Sequence, residues 1–143
     1  MCLSDVQTEL GEATRAELAE QFGTDQVVFV QCDVTDAASV ERLLERAEEL
    51  LDAPLHCLVN NAGVMGEKEG WRLCLDINLR GVVHGTEAAL RRLARDRGGR
   101  GGVVVNIASI LGLFCAVQPK DWQYNVSKSA VVTLSRCLGN KVL

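Results

Sequence analysis

The chain has 143 residues, a net charge of −4 and a pI of about 5.2, with 48% of residues apolar and 24% charged. That length fits one domain, and that apolar share supplies a buried core and argues against disorder. The acidic balance argues against a nucleic-acid or anionic-membrane partner, which would need a basic face. The one basic run, LRRLARDRGGRGG, reads as a solvated helix end and loop.

QVVFVQ (26–31) is a short β-branched run and reads as a strand. In the stretch that follows, Val40, Leu43, Leu44, Ala47, Leu50 and Leu51 recur at helical spacing behind Asp36, a natural N-cap. LHCLVN (55–60) predicts a second strand, closed by NAG. A longer helix is expected from Trp71 to Arg95, with Leu79, Val82, Val83, Thr86, Leu90 and Leu93 on one face, until GGRGG breaks it. VVVNIAS (103–109) predicts a third strand, and a last helix runs from about Trp122 to Leu138. Alternation of strand and helix implies parallel strands joined by right-handed crossovers, and continuous apolar strands imply helices on both faces. The expected fold is an α/β, doubly wound parallel sheet in a single domain spanning residues 1–143. Such sheets bind ligands beyond the carboxyl ends of their strands. Asp33, Asn60, Asn61, Gly63 and Ser109 all fall at those ends.

Six cysteines, at 2, 32, 57, 74, 115 and 137, form no C-x-x-C pair, and His56 and His84 have no ligand-like spacing. Neither a metal site nor a disulfide framework is expected. No apolar run approaches the ~20 residues of a membrane span. Reduced thiols without a leader pattern point to a cytoplasmic location.

Tyr124 and Lys128 stand at i and i+4 and share a helix face. A phenol is a poor base near neutrality, and a nearby ammonium favours the phenolate, so the pair is suited to exchanging a proton with an alcohol or ketone. The same spacing also arises between ordinary helical neighbours. Ser109 has a hydroxyl able to donate to a substrate oxygen, or simply starts a turn. Asn78 costs helix propensity inside an apolar stretch, which a specific hydrogen bond or a satisfied core amide would explain. Asp5 is either a helix N-cap for the following stretch or an acid at a strand end.

NNAG, NLRG, the serine after VVVNIA, and YNVSK occur in that order. Together they resemble the short-chain dehydrogenase/reductase family, nicotinamide-dependent oxidoreductases with a Rossmann fold. The resemblance implies oxidation of a secondary alcohol to a ketone with NAD as cofactor. Tyr124 would be the catalytic base. Lys128 would lower its pKa and hold the nicotinamide ribose, Ser109 would orient the substrate oxygen, and Asn78 would hold a relay water. Asn60, Ala62 and Gly63 would line the adenine-ribose side and steady the sheet, Asp33 and Val34 would contact adenine, and Asp5 would select NAD over NADP. FVQCDVTD, LVNNAGVMGEKEGW and SILGL carry a narrower likeness to members acting on hydroxylated lipids, in which Gln118 would help to position the substrate hydroxyl. Helices 71–95 and 124–138 would form a homodimer interface.

The pattern also breaks. A glycine-rich phosphate loop should precede the ribose acid by about 20 residues, and none precedes Asp5. GGRGG follows a helix and opens a strand, the reverse of what a pyrophosphate loop needs. The sheet is expected to lack its first strand and its last strands, exposing apolar edges. The loop from Ser109 to Tyr124 is about two residues longer than the family's usual one. The alternative expectation is therefore an inactive truncated form that pairs with full-length subunits. A carbonyl reductase using NADPH is a further reading that Asp5 opposes.

Overall fold

A computed structural model of the chain describes residues 1–114 and 122–139. Strand β1 (Cys2–Asp5) runs parallel to β2 (Val28–Gln31), with Cys2 opposite Val28 and Asp5 opposite Gln31. Strand β3 (Cys57–Asn60) runs parallel to β4 (Val103–Asn106), with Cys57 opposite Val103 and Asn60 opposite Asn106. Helix α1 (Thr8–Phe22) joins the first pair, and α2 (Ala37–Leu51) leads from β2 to β3. Helices α3 (Gly70–Leu75) and α4 (Gly81–Leu93), with a π-helical turn over residues 76–80 between them, lead from β3 to β4. Helix α5 (Trp122–Gly139) follows. The α/β order and parallel pairing are those expected, but among the described residues the sheet stands as two separate ladders.

Both ladders lie on the layer made by α2 and α4. Cys32, Val40, Leu44 and Ala88 form its core, with Leu43, Leu55 and Leu58 packed around them. Helix α2 starts where its sequence says, because the Asp36 carboxylate accepts the Ala38 N–H at 2.9 Å. Across the layer, Arg92 donates to Glu41 at 2.6 Å and to Glu48 at 3.3 Å, while Arg91 also donates to Glu41. The hydrogen bond from Arg92 is the main cause that holds the Glu41 carboxyl below its ordinary value. Burial works against the Arg92 charge, yet Glu41 and Glu48 together outweigh it and hold the guanidinium above its ordinary value.

Two expectations need correction. The continuous apolar runs implied strands covered on both faces. In β3 and β4 one set of alternating side chains faces the helices, whereas Val59 and Val103 are each 52% exposed on the other side. The single helix expected over 71–95 is interrupted by the π turn, which inserts an extra residue and shifts the helical phase. Within α4 itself Val82, Thr86, Ala89 and Leu93 are buried, while Val83 and Leu90, in line with Leu79, form a separate, half-buried stripe.

Helix α4 receives the ends of β2 and β3 through glycines. A Cβ at Gly85 would fall 2.0 Å from Asn60 Oδ1, and one at Gly81 would fall 2.8 Å from Val34 Cγ2. Overpacking at a strand amide cannot relax as a flexible side chain would. Gly85→Ala should therefore destabilise the chain by about 1–3 kcal/mol in a urea melt. Gly139→Ala, where a Cβ meets nothing within 4 Å, should leave the midpoint essentially unchanged.

Candidate active site

The carboxyl ends of β3 and β4 and the first turns of α5 border an open cleft of about 200 Å³, lined by Asn61, Gly63, Val64, Met65, Ile107, Ala108, Tyr124 and Lys128. The i, i+4 spacing does put Tyr124 and Lys128 on one face, with the lysine nitrogen 5.7 Å from the centroid of the Tyr124 ring. Lys128 is only 4% exposed, and its ammonium donates to the Ile107 carbonyl at 2.7 Å. Desolvation pulls its pKa below the ordinary lysine value, and the nearby Cys74 opposes this weakly. Gly63 lies against both groups: a Cβ there would meet Asn78 Oδ1 tightly at 3.3 Å and the lysine nitrogen in ordinary contact at 3.5 Å.

Asn78 sits fully buried in the π turn. Its Oδ1 accepts the Val64 N–H at 2.8 Å, and its Nδ2 donates to the Val64 carbonyl at 2.8 Å and to Ser127 Oγ at 3.0 Å. Ser127 in turn donates to the Tyr124 carbonyl at 2.7 Å. The amide thus mimics a strand partner for the loop after β3 and ties that loop to α5. Both of its hydrogens have partners within the chain. The Cys74 thiol lies beside this amide, and burial is the main cause that pushes its pKa up.

Ser109 does not line the cleft. Its hydroxyl accepts the Leu111 N–H at 3.2 Å and caps the short turn Ile110–Gly112. That turn is clamped to α5, where Ser129 Oγ donates to the Gly112 carbonyl at 2.9 Å. Gln118 lies outside the described residues.

A second cleft of about 320 Å³ opens at the ends of β1 and β2, lined by Val6, Val30, Gln31, Cys32, Asp33, Ser39, Arg42 and Leu43. Asp33 lines it and accepts from the Thr35 N–H and hydroxyl, each at 2.8 Å. Val34 does not, since it packs on Gly81 while its carbonyl meets His84 Nδ1 at 2.9 Å. Asp5 ends β1 and accepts the Gln7 N–H at 2.9 Å, so it is a strand-end acid and not the helix cap. Asn60 and Ala62 line neither cleft. Asn60 instead donates to Asn106 Oδ1 at 2.8 Å and to Thr86 Oγ1 at 3.2 Å, a sheet-steadying arrangement.

The family model for short chain dehydrogenases matches residues 1–143. The chain belongs to the short chain dehydrogenase family. It is 38% identical over 138 residues to 15-hydroxyprostaglandin dehydrogenase [NAD(+)] of Rattus norvegicus, covering 95% of this chain and 50% of that relative. A short chain dehydrogenase structure from Mycobacterium smegmatis superposes with a TM-score of 0.82 at 36% identity, over 95% of this chain and 57% of that one. A short chain dehydrogenase/reductase from Burkholderia phymatum in complex with NAD superposes with a TM-score of 0.77 at 29% identity, over 97% and 51%. The chain thus spans about half the length of the curated relatives it matches. Among the described residues, no helix is long and apolar enough to cross a membrane.

Sequence reasoning missed Ile107 and Val64, which act through backbone atoms and leave no side-chain signal. It also missed Ser127, three residues after Tyr124 in YNVSK, whose position on the buried side of the helix was readable.

The Lys128 shift has a stability consequence. An unfolded lysine holds its proton to about 10.5, whereas the folded chain releases it earlier. Between those points the unfolded state binds more protons, so stability rises with pH there, by at most about 1.4 kcal/mol per pH unit. Below that window the full cost of burying the cation is present. The Tm of the chain minus that of Lys128→Met should therefore become more positive from neutral pH towards pH ~10, as read by thermal melts. A flat or falling difference would contradict the buried ammonium.

Proposed function

We propose that the chain carries the proton-transfer centre of an NAD-dependent alcohol dehydrogenase, with Tyr124 taking the proton of a secondary alcohol. The observation that supports this most is the Tyr124–Lys128 pair at the cleft, with the buried ammonium anchored on Ile107 O beside the phenol ring. The adjacent cation would stabilise negative charge that develops on the substrate and phenol oxygens during the transfer. Ser109 follows Ala108, which lines the cleft, and while its oxygen accepts at the Leu111 cap its hydrogen would turn to donate to the substrate oxygen. Asn78 supports the reading by holding Val64 and Ser127 in place.

The two clefts suit the two ends of a dinucleotide. Asp33 and Asp5, at the ends of β2 and β1, would face the adenosine end, with Asp5 accepting from ribose hydroxyls and repelling a 2′-phosphate. Gly63 and Lys128 would border the nicotinamide ribose. Bound NAD supplies a hydride acceptor. The alcohol carbon gives up its hydride, its oxygen gives up its proton to Tyr124, and a ketone results. The relative named for 15-hydroxyprostaglandin favours a hydroxylated lipid as the substrate. Apolar side chains exposed on α3 and α5, including Trp71, Leu73, Trp122 and Val126, favour pairing of two copies through these helices.

A second reading, a chain that does not turn over alone, is favoured by the split sheet and by the lack of a glycine-rich strand-to-helix turn among the described residues.

The test is NADH formation from a hydroxylated lipid, alongside NAD titration by thermal shift. Tyr124→Phe should lower turnover by at least about 100-fold, and undiminished turnover would remove Tyr124 from the reaction. Failure of the unaltered chain to bind NAD would favour the second reading. Asp5→Ser should improve NADP binding relative to NAD, and an unchanged ratio would remove Asp5 from cofactor selection.

A further inference from the structure

Behind the cleft, four elements contribute one polar side chain each to a continuous chain of hydrogen bonds. Asn60 of β3 donates to Thr86 of α4 at 3.2 Å and to Asn106 of β4 at 2.8 Å. Asn106 donates to Ser135 of α5 at 2.9 Å, and Ser135 donates to the Val131 carbonyl at 2.8 Å. Asn60 and Asn106 are directly opposed in the β3–β4 register, and the Ile107 N–H donates to the Asn60 carbonyl at 3.0 Å. Each Nδ2 donates, Thr86 Oγ1, Asn106 Oδ1 and Ser135 Oγ accept, and Ser135 passes its own hydrogen on to the Val131 carbonyl, so the directions are mutually consistent.

Apolar groups could fill this space without desolvating two amides and two hydroxyls, and buried polar groups are costly unless paired. What the polar chain adds is a fixed position. Ridges of apolar side chains tolerate a helix shifting along its axis, whereas a hydrogen bond fails within a few tenths of an ångström. Lys128 and Ser135 are seven residues apart, two turns along the same face of α5, or about 10.5 Å. Their partners, Ile107 and Asn106, are adjacent on the strand, about 3.3 Å apart. The long lysine stem spans the difference. If α5 slid, Ser135 would leave Asn106 and the ammonium would leave Ile107 together.

We propose that Asn106 and Ser135 are positioning residues that set the depth of α5 against β4, so that Lys128 reaches the Ile107 carbonyl beside Tyr124. This rests on reading Tyr124 and Lys128 as the proton-transfer pair.

The experiment follows the Lys128 side chain by NMR in the full chain carrying ¹³C-labelled lysine, titrated with pH, for the unaltered protein, Asn106→Val, Ser135→Ala and Ser135→Thr. In Asn106→Val and Ser135→Ala the Lys128 midpoint should move up towards that of an ordinary lysine, because a loosened helix readmits water to the ammonium. Threonine keeps the hydroxyl and can still bond the carbonyl one turn back, so Ser135→Thr should titrate like the unaltered chain. Cys74 and Tyr124, the other titrating groups against Lys128, are untouched in all three variants. A cooperatively folded Ser135→Ala whose Lys128 midpoint has not moved overturns the proposal, even if its Tm has fallen, since that is all a merely structural role would do. Alanine is the best helix former, so Ser135→Ala decides the matter should Asn106→Val fail to fold. Undiminished turnover in Tyr124→Phe would remove the catalytic reading while leaving this placement result standing, so the two failures are distinguishable.

Discussion

A lysine ammonium almost removed from water imposes the demand on which the rest of the site depends. Moving a cation out of water costs several kcal/mol unless acceptors replace the lost hydration. Here a backbone carbonyl at 2.7 Å takes that part, with the face of an aromatic ring alongside. A carbonyl can do this only if its strand, its helix and the loop between them are held still. Hence the Asn78 amide pins the Val64 backbone next to Gly63. A side chain held this way acts on its neighbours through a low local dielectric, where a charge is felt more strongly than in water.

The framework that meets this demand is a helical layer with strands laid on it. Helix α4 serves both ladders: Gly81 admits Val34 from the end of β2, and Gly85 admits Asn60 from the end of β3. Helix α2 is bound to α4 by the Cys32–Val40–Leu44–Ala88 core and by the arginine–glutamate cluster. Exposed ion pairs contribute little, roughly 0–1 kcal/mol each. Arg92 differs because it is largely covered and shared between carboxylates, so its geometry constrains the angle at which the helices meet.

Features written in local side-chain chemistry were legible in the sequence. The Asp36 cap, the stripe on α2, the parallel alternation and the shared face of Tyr124 and Lys128 all follow from spacing and residue type. The features that were not legible depend on backbone atoms or on distant partners. The π turn at Asn78 was visible only as a polar residue in an apolar helix, and its cause is a loop 14 residues earlier in the chain. Val34 and Asn60 stood at the right strand ends, yet both face α4. Ser109 was placed correctly after β4, although its hydroxyl is engaged as a cap. The half-open face of β3 and β4 was hidden for another reason: an apolar run reads the same whether one face or two is covered.

The division of labour within β3 and β4 explains how a site can be well formed beside a sheet that stands in two parts. Their outward side chains, Val59, Val103 and Val105, are exposed and add little packing. Their inward ends carry Asn60 and Asn106, which bond to each other and outward to α4 and α5. Directional bonds of this kind need only their immediate partners to hold geometry, whereas apolar packing needs a filled volume on every side. The rigidity of the cleft therefore derives from the polar joints between strand ends and helices more than from the continuity of the sheet. That is why Lys128 can be buried and anchored on β4, although among the described residues β4 pairs with β3 alone.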